Sequence, residues 1–210
     1  MKLETTPSVA AHLTDFANLV TLGNLVLGTG AAMLLLVDHD ILAVLALIWA
    51  VFLDHLDGYL ARMSSDAQSY KRAFGCELDN LADLISFSVV PGMFAFVLGG
   101  MDGIAAAVGL FLPVCGALRL AYFNLYGLRN RRFVGVPATY CAALFAIVPV
   151  YLLHQLLHAP RWTILSIGVV LGAVQVLPIS MPKLRLPILT LFGCAVSLSV
   201  LIVVTVGSIK

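Results

Sequence analysis

Charge is what this chain has least of. Only 11% of its 210 residues are Asp, Glu, Lys or Arg, against 61% hydrophobic, and the mean hydropathy is +1.03. Soluble domains carry about 25% charged residues, so the composition excludes one and indicates an integral membrane protein. Cysteine is also sparse: Cys76, Cys115, Cys141 and Cys194 form no C-x-x-C pair and have no histidine at ligand spacing. That pattern argues against a zinc site or a disulfide framework and leaves them as small packing residues. No basic aromatic patch accompanies the net charge of +1, which gives no support to a nucleic-acid partner. Residues 1–15 hold no apolar core followed by a small-residue cleavage site, so no removable signal peptide is read there. They are expected to form an amphipathic or disordered cytoplasmic segment.

Long charge-free runs are what the chain does have. Phe16 to Val37 is 22 residues, Phe133 to Pro160 is 28, Trp162 to Pro182 is 21 and Leu186 to Ile209 is 24. A residue adds about 1.5 Å to a helix, so each run crosses a hydrocarbon core of about 30 Å. With turn residues and charges as boundaries, the fold class is an all-α polytopic membrane helix bundle of about seven transmembrane helices. They fall near 16–37, 41–62, 78–100, 103–127, 134–157, 162–180 and 187–208, in one domain covering 1–210. An inside amino terminus puts ten of the twelve Lys and Arg residues on the cytoplasmic side, leaving Arg161 and Lys210 outside. That bias sets the orientation.

Acids are few, and four of the eleven gather on the two helices flanking one loop. Asp54, Asp57, Gly58, Ala61 and Arg62 run i, i+3, i+4, i+7, i+8 along one helix face. Gly75, Asp79 and Asp83 repeat the device at intervals of four on the next helix. Carboxylates near hydrocarbon are costly unless they face a polar cavity and are neutralised. Hard divalent cations such as Mg²⁺ or Mn²⁺ take oxygen ligands, and a pair of ions suits a diphosphate. Arg62 adds a fixed cation for phosphate, and Gly58 lets a bulky ligand lie against the helix. The plainer alternative is that the acids solvate a helix rim and pair with Arg62, Lys71 and Arg72.

These positions resemble the signature of the CDP-alcohol phosphotransferases, D-x-x-D-G-x-x-A-R, a spacer, then G-x-x-x-D-x-x-x-D. Every signature position is filled, with a spacer of twelve residues from Met63 to Phe74. The resemblance implies a six-helix core, often a homodimer, with Asp54, Asp57 and Asp79 as metal ligands and Asp83 as both ligand and general base. It also implies that Gly58, Ala61, Arg62 and Gly75 cradle the CDP group, that two Mg²⁺ or Mn²⁺ ions are bound, and that CDP-diacylglycerol and a small alcohol are the substrates. "NLVTLGN", "ELDNLADLISFSVVPG", "LRLAYFN" and "FVGVP" are similar to the phosphatidylserine synthase branch, which implies serine as acceptor. Choline, an inositol phosphate, glycerol phosphate or an ether-lipid donor are the alternatives. Many serine-specific relatives carry a second arginine where this chain has Tyr122.

Several residues outside the signature join the site as candidates. Asn18, Thr21 and Asn24 lie at i, i+3 and i+6, placed either to meet the nucleotide or to hydrogen-bond between helices. Arg119 follows sixteen charge-free residues and must find an anion or reach the interface. A substrate phosphate or an acceptor carboxylate fits it, with Asn124 and Arg129 as companions, although Arg129 with Arg131 and Arg132 is also explained by topology and anionic membrane lipid. His55 is expected to point off the Asp54 and Asp57 face. An aspartate-rich membrane prenyltransferase needs a second acidic loop, and no acid follows Asp102. A metal-ion transporter would spread ionisable groups along a path through the bilayer, whereas here they gather at one face.

Overall fold

The computed structural model describes residues 8–63, 69–127, 132–146 and 161–182. It is a helical bundle. A 3-10 helix, Val9–Thr14, leads into α1 (Phe16–Leu36), where the Asp15 side chain accepts the Ala17 N–H as N-cap. Then come α2 (Asp40–Met63), α3 (Ser69–Leu84), α4 (Val90–Leu98), α5 (Gly103–Tyr126), α6 (residues 138–146) and α7 (Arg161–Val176). Among the described residues, four stretches are long and apolar enough to cross a membrane: Phe16–Leu36, Asp40–Ala61, Arg72–Leu98 and Gly103–Tyr126. The fifth expected span is described only to residue 146, and the seventh lies outside the described residues.

The third span departs from its expected limits. Helix begins at Ser69, not near 78, and α3 runs into α4 through a π-turn at Ile85–Val89, where the Val90 N–H reaches back five residues to the Ile85 carbonyl. Pro91, at the start of α4, has no N–H and would clash with a regular preceding turn. The widened turn removes that conflict. Its two serines are fully buried, and each faces a glycine: a Cβ at Gly28 of α1 would collide with Ser86, and one at Gly116 of α5 with Ser88. Small residues that let helices approach this closely are how bundles pack in lipid, where no hydrophobic force drives helix against helix. Below the turn, α4 crosses α5 backbone to backbone, with the Gly109 Cβ position 2.9 Å from the Gly92 carbonyl oxygen. Leu35, Leu47, Phe87, Phe94 and Phe145 fill the interior beside these crossings.

One element departs from the all-helical expectation. Arg132–Val134 (β1) pairs antiparallel with Ser180–Pro182 (β2), Phe133 opposite Met181. The ribbon therefore joins the segment after α5 to the segment after α7. Gly135 completes it with φ +77°, where a Cβ would strike the Gln175 carbonyl. The Gly135 N–H bonds to the Ile179 carbonyl at 2.9 Å and the Val136 N–H to that of Val174 at 3.0 Å.

Candidate active site

The end of α2 and the second half of α3 bring the signature aspartates together. Asp54, Asp57 and Asp79 each offer a carboxylate oxygen, and these atoms all lie within 4.8 Å of one another. Asp83 stands one turn deeper on α3 and lines the same cavity, of about 230 Å³; the charges of Asp54, Asp79 and Asp57 all bear on it. Two carboxylate oxygens, Asp79 Oδ1 and Asp83 Oδ1, are buried without a hydrogen-bond partner. Buried acceptors are ordinarily paired, and three carboxylates with oxygens within 4.8 Å repel strongly when ionised. Both facts fit a bound divalent cation, so the donor set matches the metal that its chemistry implied.

Asp57 is the most enclosed of the metal set at 4% exposure, and α1 reaches it: Thr21 Oγ1 donates to Asp57 Oδ2 at 2.6 Å. Of the two roles open to Thr21, the structure shows the hydrogen bond between helices. It leaves one oxygen of Asp57 for a ligand and fixes the carboxylate's rotamer. Asn18 is buried and donates from Nδ2 to the His12 carbonyl at 2.9 Å. A Cβ at Gly75 would come within 2.9 Å of Asn18 Oδ1. Asn24, fully buried, sits two turns further in, its carbonyl accepting from Ser86.

Across the cavity stands Arg119 on α5, 7% exposed. Its guanidinium carbon lies 5.2 Å from the Phe123 ring centre and 5.5 Å from that of Phe133 on β1. No carboxylate among the described residues forms a salt bridge with it. A buried guanidinium facing acids it does not touch can share an anionic ligand with the cation between them.

Gly58 lines the cavity as expected. Ala61 is exposed one turn further along α2. Asn124 is exposed and does not line the cavity, because five residues carry it about 140° around the helix from Arg119. The Arg62 side chain and Arg129 lie outside the described residues. His55, set aside in the sequence, does line the cavity. Its Nδ1 is 2.8 Å from the Val51 carbonyl and 3.3 Å from Asp54 Oδ2, and its ring stacks on Tyr140 at 5.9 Å. A carbonyl only accepts, so Nδ1 carries the proton. Phe133, Thr139 and Tyr140 also line the cavity; no motif spacing marked them, since they arrive from β1 and α6 by tertiary packing.

Membrane-length helices that enclose a carboxylate cluster opposite a buried arginine define an integral membrane protein whose acid cluster could hold a metal ion. The CDP-alcohol phosphatidyltransferase family model matches residues 14–174, and the chain belongs to that family. It is therefore a transferase, in a family that depends on divalent metal. The CDP-diacylglycerol–serine O-phosphatidyltransferase of Bacillus subtilis (strain 168) is 33% identical over 132 residues, covering 62% of this chain and 72% of its own. That of Helicobacter pylori (strain ATCC 700392 / 26695) is 30% identical over 177 residues, 81% of this chain and 73% of its own. An archaetidylserine synthase from Methanothermobacter thermautotrophicus is 33% identical over 96 residues, 45% of this chain and 40% of its own.

Proposed function

We propose that this protein transfers the phosphatidyl group of CDP-diacylglycerol to L-serine, releasing phosphatidylserine and CMP. The observation that carries the reading is the cavity in which three carboxylates with ligand atoms within 4.8 Å of one another face Arg119. The relatives' acceptor supports serine. Asp54, Asp57 and Asp79, with Asp83, would hold Mg²⁺ or Mn²⁺, two ions in this reading, whose chemistry is charge stabilisation on phosphate oxygens. Asp83 accepts the proton of the serine hydroxyl as that oxygen bonds to the phosphatidyl phosphorus. The bond from phosphorus to the oxygen of CMP breaks, and CMP keeps the electron pair. Arg119 binds anionic oxygens of donor or acceptor, while Gly58, Ala61, Arg62 and Gly75 border the CDP group and Asn18 and Thr21 hold the helix beside it.

The same reading takes residues 1–210 as one domain of seven spans with the amino terminus and the site on the cytoplasmic face, supported by the ten-to-two division of basic residues. A homodimer in the membrane is part of it. The test is to offer the purified protein CDP-diacylglycerol with serine, choline, inositol phosphate or glycerol phosphate and to measure CMP release. Release with serine above the others is the expected result. Preference for another alcohol, or for an ether-lipid donor, reassigns the substrate, and ion flux without CMP points to a transporter instead.

A further inference from the structure

Arg119 sits in an unusual setting. It is buried beside the carboxylate cluster, yet what flanks its guanidinium is aromatic: the centres of the guanidinium, Phe123 and Phe133 form a near-equilateral triangle with sides of 5.2, 5.5 and 5.5 Å. Each ring is within the roughly 6 Å over which a cation is attracted to an aromatic face. The choice of aromatic partners has a chemical consequence. A carboxylate partner would neutralise the arginine and occupy the fork of donors with which it grips a second anion. Ring faces hold and orient the cation while leaving its charge and its N–H groups available.

Phe123 is one helical turn from Arg119, so α5 supplies that ring by itself. Phe133 comes from elsewhere. It is carried to the cavity on β1, and β1 is fastened to the far end of α7 by its pairing with β2 and by the Gly135 and Val136 bonds to Ile179 and Val174. A three-residue ribbon is too small to stabilise a fold alone. Its effect in this structure is to fix where the Phe133 ring lies relative to Arg119.

We infer that Phe133, held by the β1–β2 ribbon, is a positioning residue that aims the Arg119 guanidinium at an anionic group of the substrates. The inference rests on the proposed reaction, with donor phosphate and acceptor carboxylate as the two sources of that anion. The test compares purified full-length wild type, Phe133→Leu and Phe133→Tyr, measuring initial rates of CMP release against CDP-diacylglycerol and against serine, CDP binding in the presence of Mn²⁺, and thermal midpoint. Leucine keeps the apolar bulk and removes the ring face; tyrosine keeps the face. Phe133→Leu is expected to lower kcat/KM roughly tenfold, with Phe133→Tyr within about twofold of wild type and both midpoints close to it. A rise in KM for the donor, with weaker CDP binding, identifies phosphate as the anion; a rise confined to serine identifies the carboxylate. Unchanged kinetics in Phe133→Leu, or equal impairment in both variants, overturns the inference. If wild type binds CDP and releases no CMP, the proposed reaction fails, and equal affinity of wild type and Phe133→Leu for both CDP and serine then overturns the positioning role as well.

Discussion

Two arginines stand near opposite ends of α5, about 25 Å apart along the helix axis, and their surroundings differ in kind. Arg161, at the start of α7, pairs through Nη2 with Asp102, lies over the Trp162 ring at 4.9 Å and is partly exposed. Asp102 caps α5 as well, accepting from the N–H groups of Ile104 and Ala105. Acid and base there answer each other, and the result ties the α4–α5 turn to α7. At the other end Arg119 is buried, faces acids without touching them and rests on two rings. Two of those acids hold buried oxygens with no partner. Where a protein needs only to hold itself together, opposite charges meet; where they are kept apart at close quarters, a third participant is expected between them.

Substitution separates the two ends, and the largest effect belongs to Asp83. Asp83→Asn should lower CMP release by about 10³-fold or more while the purified protein keeps its thermal midpoint, and chelation of divalent metal should silence wild type until Mg²⁺ or Mn²⁺ is restored. Next, Arg119→Lys keeps the charge and loses the planar fork, so kcat/KM should fall on the order of 10- to 100-fold. The matching Arg161→Lys should leave CMP release within about twofold. Equal losses in both arginine variants would erase the contrast drawn here.

A smaller effect is expected at Thr21. Thr21→Val removes the 2.6 Å hydrogen bond to Asp57 and should weaken activation by Mn²⁺ roughly tenfold, read as the metal concentration for half-maximal CMP release. The smallest belongs to Asp102. The Ala105 N–H and then Arg161 hold its carboxyl below the ordinary value of 3.8, so its contribution to stability is complete above that value and fades as pH falls through the lower, folded one. Asp102→Asn should therefore flatten the loss of thermal midpoint on acidification and leave turnover at neutral pH unchanged.

Much of the site was legible because helical periodicity is a strict rule. Spacings of three and four placed Asp54, Asp57, Asp79 and Asp83 on facing stripes, and the geometry brings those carboxylates to one cavity. Arg119 was legible for an energetic reason: a lone cation after sixteen apolar residues must have a partner or an exit. What periodicity does not encode is contact between distant segments. The ribbon pairs three residues with three others 48 positions away along the chain, too short on either side to show alternation. His55 lines the cavity without belonging to the acid stripe, because a cavity closed by α6 is wider than a single helix stripe. Thr21 carried two readings until the packing of α1 on α2 brought it to Asp57, and the third helix was cut short because Ser69 to Glu77 is too polar to look like a span.

The π-turn after Asp83 has a consequence for how one rod serves two purposes. A surplus residue inside a helix swings everything beyond it by roughly 100° about the axis. The portion before the turn is thereby aimed at the acid-lined cavity, and the portion after it presents Gly92 to Gly109 for tight seating. Neither demand dictates the other's azimuth, so the chemistry at one end and the seam at the other are free to be tuned apart.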